Sequence, residues 1–148
     1  MKKAMAAILA MLCAAGAYAG PDSDLLAKAG LLGAWARDCS QPPSNSNPYQ
    51  VIAPSTAGYP TRDLKMDSKI DRTSELRNVV LLGNNQVKFR MMASLNFSDR
   101  DITVIVVGNR HRSMDAADAS GKKYITNGRF VRDGVEGAET SWFQKCGG

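Results

Sequence analysis

The clearest pattern in the chain has a period of two. In "QVKFRMM", Val87, Phe89 and Met91 fall on one side, and Lys88 and Arg90 on the other. In "DITVIVV", Ile102, Val104 and Val106 line up in the same way. Alternation of this kind marks strands of a sheet with one wet face. Turn residues punctuate it. Gly83-Asn84-Asn85 separates "TSELRNVVLL" from "QVKFRMM", Gly108-Asn109 precedes "RHRSMDA", and "SGKK" precedes "YITNGRFV". Gly and Asn tolerate the positive φ that tight turns need. Upstream, "GAWARDC", "YQVIA" and "TRDLKMD" read as short strands, the last with Leu64 and Met66 on one side. "SQPPSNSNP" and "PSTAGYP" read as loops, "RDGVEGAET" as a Gly-rich connection, and "SWFQKC" as the closing strand. Only "PDSDLLAKAGLLG" suggests a helix. Asp22 or Ser23 would cap it, Leu25, Leu26 and Ala29 supply an apolar side, and Gly30 stops it. The fold class is therefore all-β: an antiparallel meander of about eight strands with a short N-terminal helix, closed as a barrel or stacked as a sandwich.

The N-terminus changes this picture by adding a compartment. Lys2 and Lys3 are followed by an apolar run from Ala4 to Ala15 and by small residues at Ala17 and Ala19. That is the layout of a signal peptide over residues 1–19, which leaves 20–148 as a single β-barrel-like domain in the periplasm or outside the cell. Acylation at Cys13 is the alternative, though Met11 and Leu12 are larger than the residues such a site wants. Of the three cysteines, Cys39 and Cys146 then remain. An even pair in an oxidising compartment reads as a disulfide, here closing a loop of roughly 100 residues and worth on the order of 4–5 kcal/mol in the chain-entropy model. In an up-and-down barrel the last strand pairs with the first, which would make Cys39 and Cys146 neighbours. A bridge between the sheets of a sandwich stays open, but the barrel is the preferred reading. Two of the 19 Lys and Arg and none of the 14 Asp and Glu lie in residues 1–19, so 17 against 14 leaves a formal charge of +3. So mild and interspersed a charge does not point to nucleic acid. No stretch after the signal is apolar for long enough to cross a membrane as a helix.

Gly33-Ala34-Trp35 lies on the first strand, directly after the helix. This resembles the G-x-W signature of lipocalins and related calycin-type barrels, although the lipocalin T-D-Y motif does not occur. The resemblance implies a lipocalin-like barrel in which Trp35 plugs the closed end beneath a basic side chain from the end of the chain. Lys145, Arg129 and Arg132 are the candidates for that side chain. "WARDCSQPPSNSNPY", "ELRNV" and "WFQKC" are also similar to segments of a group of small exported bacterial proteins, which implies a compartment and no reaction.

Candidate chemistry is sparse. Zinc sites want several His or Cys ligands, and His111 is the one histidine. Asp99 with Asp101, and Asp115 with Asp118, fit no calcium-loop spacing. No metal or cofactor is expected. His111 stands between Arg110 and Arg112, charges that would lower its pKa if they come close, and no G-x-S-x-G elbow occurs. Glu75, Glu136 and Glu139 sit on no evident apolar face, so catalysis is not the expected role. "RHR" with Lys122 and Lys123 reads as a solvated basic face, and Met66, Met91, Met92 and Met114 as adaptable filling or as the wall of a plastic pocket. The expected function is a binding module whose interior, lined by Val87, Phe89, Met91, Ile102, Val104 and Val106, holds a small apolar or amphiphilic ligand. A one-residue slip in register would turn those six outward. The alternative is a structural or inhibitor-type envelope protein with a filled interior, meeting its partner through 40–48 or 132–140.

Overall fold

The computed structural model describes residues 20–55, 58–93 and 98–147. The expected signal peptide and the alternative site at Cys13 lie outside the described residues. Among the described residues a helix, α1 (Pro21–Lys28), is followed by eleven strands: β1 (Gly33–Ala36), β2 (Tyr49–Ala53), β3 (Thr61–Lys65), β4 (Arg72–Gly83), β5 (Gln86–Met91), β6 (Arg100–Val107), β7 (Arg110–Asp118), β8 (Lys123–Thr126), β9 (Arg129–Arg132), β10 (Val135–Glu139) and β11 (Phe143–Cys146). Strands β1 to β7 pair in sequence order and β11 bridges β7 to β1, so eight antiparallel strands close into a barrel. The first and last strands are neighbours, with Ala34 opposite Cys146. The disulfide Cys39–Cys146 clasps that seam, with Cα atoms 5.4 Å apart.

The barrel is not a plain meander. One edge of β7 is shared: Arg110 and His111 pair with β11, whereas Ala116 and Ala117 pair with β8. From that second half the chain runs outward as β8, β9 and β10 before returning as β11. A bulge in β7 between Ser113 and Asp115 marks the fork. Thr140 ties it together: its hydroxyl donates to the Ser113 carbonyl at 2.7 Å and its N–H to that of Gly128 at 2.8 Å. The segment "RDGVEGAET", expected as a connection, is therefore partly a strand. Every residue of β10 is exposed, so its pairing with β9 rests on backbone hydrogen bonds rather than on apolar alternation.

Register fixes the inner face. Gln50 faces Leu64, Ile52 faces Arg62, Phe89 faces Ile102 and Val87 faces Val104 across neighbouring strands. These positions project inward, and Trp35, Ile52, Leu76, Val87, Phe89 and Val104 form the core. Turn chemistry holds as expected at Gly83-Asn84-Asn85, all with positive φ. The helix departs from expectation at its start. Gly20 is the N-cap and Pro21 opens the helix, with no side-chain cap. The Asp22 carboxylate accepts instead from the backbone N–H groups of Asn78 and Val79 at 3.1 and 3.0 Å. It thereby fixes α1 to an irregular point in β4, where Asn78 has φ 54°. Leu26 and Leu31 are fully buried and close that end of the barrel.

Candidate functional site

The closed end is organised around Trp35, which has no exposed surface. Its indole N–H donates to the Leu31 carbonyl at 2.8 Å. The Lys145 ammonium stands 5.3 Å from the ring centroid and donates to the Gly30 carbonyl at 3.2 Å. Lys145, not Arg129 or Arg132, is thus the basic group over Trp35. Gly33 explains how it gets there. A Cβ on Gly33 would meet Lys145 Cε at 3.0 Å, and the residue has φ 128°, a conformation that side-chain-bearing residues avoid. The glycine opens a passage through which the lysine reaches the tryptophan.

The other end of the barrel holds a cavity of about 550 Å³, within the range of small-molecule sites. Leu64, Met66, Ile102, Ile125, Phe130 and Phe143 give it apolar walls, and the β8–β9 hairpin forms one side. Five arginines, Arg37, Arg62, Arg72, Arg100 and Arg132, line the same space, and no Asp or Glu does. All Asp and Glu of the chain lie among the described residues, so none is left to enter it. Asp118, bonded to the cavity-lining Tyr124, is taken up by the turn that follows it: it accepts from Ser120, Lys122 and the Tyr124 hydroxyl. Arg100 in turn lies over the Tyr124 ring at 3.8 Å.

Arg62, half-buried on β3, reaches deepest. Its Nε donates to Gln50 Oε1 at 3.1 Å and its Nη1 to the Met91 sulfur at 3.0 Å. A thioether is a weak acceptor for a guanidinium. Among the described residues no carboxylate makes an ion pair with Arg62. Desolvation, and then the like charge of Arg72, push its pKa down to about 10, so it stays charged at neutral pH. Beneath it a void of about 30 Å³, room for a single water, separates Arg62 and Gln50 from Ser113 and His111.

His111 is 4% exposed and sits among aromatic rings. Trp35 meets it edge-on at 4.6 Å, and Phe143 stacks on it at 5.6 Å. Both ring nitrogens are buried and make no hydrogen bond. Burial first, and Arg62 second, lower its pKa to about 4. The flanking arginines, which would have lowered it had they come close, are not among the causes: strand alternation sends Arg110 and Arg112 to the other face, over the Trp142 ring at 5.2 and 5.0 Å. The end of the chain thus splits its two aromatics, Phe143 inward and Trp142 outward.

Of the six residues expected to line a ligand site, Met91 and Ile102 face the large cavity. Phe89, Ile102 and Val104 surround the small void. Val87 and Val106 lie at the closed end, beside an open hollow of about 460 Å³ between the last turn of α1 and the β4–β5 turn. Sequence reading missed Arg62, Arg72 and Arg100, although Arg62 shares the period-two face of Leu64 and Met66. Among the described residues no group of three or more His, Cys, Asp or Glu side chains is gathered as metal ligands would be. Compared with known protein families, with curated proteins and with solved structures, the chain has no significant match.

Proposed function

We propose that this protein is an exported binding module that takes a small amphiphilic ligand into the barrel through the end away from α1. The observation that carries the reading is the cavity of about 550 Å³, whose walls are aliphatic and aromatic and whose lining also holds guanidinium groups. An amphiphile satisfies both kinds of surface at once. The G-x-W arrangement at the opposite end supports a lipocalin-like role, because it plugs one mouth and leaves the other as the way in. The disulfide supports export to the periplasm or the cell exterior, and among the described residues no helix is long and apolar enough to cross a membrane. A binding rather than a catalytic role is supported by His111, which is enclosed among rings and held neutral. The alternative of an inhibitor-type envelope protein calls for a filled interior, and an open cavity of this size favours it less.

The test is a thermal-shift panel of apolar dyes, single-chain detergents below their micelle concentrations, and lipids. A ligand that binds only the folded state raises Tm by mass action. We expect the rise to be confined to amphiphiles. An unchanged Tm across the whole panel removes the reading.

A further inference from the structure

We infer that the cavity selects the head group of its ligand, and that this group is a phosphate-type anion seated on Arg62, Arg72 and Arg100. The inference rests on the binding reading above and sharpens it. Arg62 is the deepest guanidinium in the cavity, and its two observed acceptors are an amide oxygen and a thioether. A charged group taken out of water calls for a charged or strongly hydrogen-bonding partner. No carboxylate lines the cavity to supply one.

Register brings two further arginines to the same place. Arg62 pairs with Ser74 and Leu64 with Arg72, which makes Arg72 the diagonal neighbour of Arg62 on the inner face. Arg62 reaches across to Met91, and Met91 pairs with Arg100. Arg62, Arg72 and Arg100, from β3, β4 and β6, therefore line the same cavity as Met91, with Arg62 on the Met91 sulfur and Arg100 over the Tyr124 ring. A carboxylate offers one charge and two oxygens. A phosphomonoester offers nearly two charges at neutral pH and three strong acceptor oxygens, so it matches a three-sided guanidinium seat. Above that seat Leu64, Met66, Ile125 and Phe130 would hold an alkyl tail directed toward the rim. Displacing the thioether costs little, whereas bonds to a charged acceptor are the strong ones, so discrimination resides in the head and the tail adds unspecific affinity.

The experiment is isothermal titration of the full exported protein with decyl phosphate, decanoate, decanol and inorganic phosphate, each below its micelle concentration. Decyl phosphate is expected to bind at least about tenfold tighter than decanol, in line with the worth of charge-assisted hydrogen bonds, with decanoate between them. Its advantage should shrink as salt rises and as pH falls through the second ionisation of the phosphate. Arg62→Met should bring decyl phosphate down to the level of decanol, and Arg62→Lys should restore part of the difference. Circular dichroism and Trp35 fluorescence check that the variants are folded, and the wild-type comparison stands without them. Equal affinity for decanol and decyl phosphate overturns the head-group inference and leaves the cavity reading intact. Decanoate binding as tightly as decyl phosphate also overturns it, in favour of a singly charged head. Inorganic phosphate binding as tightly as decyl phosphate upholds the anion seat and overturns the amphiphile reading instead. Binding by none of the four removes both.

Discussion

Acidification should destabilise this barrel through a single side chain. His111 ionises near 6.5 in an unfolded chain and near 4 in the folded one. Its neighbours explain the shift: Trp35, Phe143, Gln50 and Ser113 offer no negative charge, and Arg62 on β3 is positive. Between these two pH values the unfolded state binds the proton and the native state does not, so stability rises with pH. The effect is absent above about pH 7 and accumulates as pH falls from 6.5 toward 4. A gap of about 2.5 units at 1.36 kcal/mol per unit amounts to about 3 kcal/mol, a sizeable part of the stability of a small domain. Urea unfolding followed by tryptophan fluorescence at pH 7, 6, 5 and 4 measures it. The comparison is His111→Phe, which keeps an aromatic ring between Trp35 and Phe143 and removes the proton site. Wild type should lose about 3 kcal/mol more than the variant across that range. Asp38, Asp101 and Asp118 have lowered pKa values owing first to hydrogen bonds from Ser40, Arg90 and Ser120 respectively. Their stabilisation is present above the unfolded carboxylate value and is lost below it, under this window and equally in both proteins. Parallel curves for wild type and His111→Phe would refute the assignment.

Three further outcomes follow from the geometry. The double replacement Cys39→Ser, Cys146→Ser should lower unfolding free energy by about 4 kcal/mol, as loop-closure entropy predicts for so long a loop; equal midpoints for oxidised wild type and the double variant in denaturant would contradict this. Gly33→Ala should cost about 1–3 kcal/mol, because it forces a disfavoured φ and crowds Lys145, and it should alter Trp35 fluorescence; an unperturbed spectrum and midpoint would show that the lysine passage is unimportant. Arg62→Met should raise the unfolding free energy of the ligand-free protein by about 1–3 kcal/mol, since it replaces a desolvated charge with an apolar chain beside Met91; a large loss of stability would show that the Gln50 bond outweighs desolvation.

The ring of strands was legible because its inner face alternates. Val87, Phe89, Ile102 and Val104 announce themselves by period two, and the cysteine pair tells which strands meet. The fork at β7 was not legible. β10 is exposed along its whole length and broken by Gly137, so its sequence carries no burial signal; only backbone pairing makes it a strand. The arginine seat was hidden for the opposite reason. Arg62 and Arg72 occupy inward positions in regular alternation, but a charged residue in the apolar register is ordinarily read as a strand end facing water. His111 shows the same bias. Its flanking arginines drew attention along the sequence, whereas alternation sends them to the other face and leaves the histidine to Trp35, Phe143 and Arg62.

The clasp between β1 and β11 also governs the order of assembly. Its two cysteines are 107 positions apart, so a nascent chain carries β1 with one rail occupied until nearly all later residues exist. Closure is the most non-local event in the fold and therefore the slow one. Loss of the last strand by truncation or stalled synthesis would expose two rails together, on β1 and on the leading half of β7, each able to pair with another copy. A few C-terminal residues thus separate a closed ring from a self-associating ribbon.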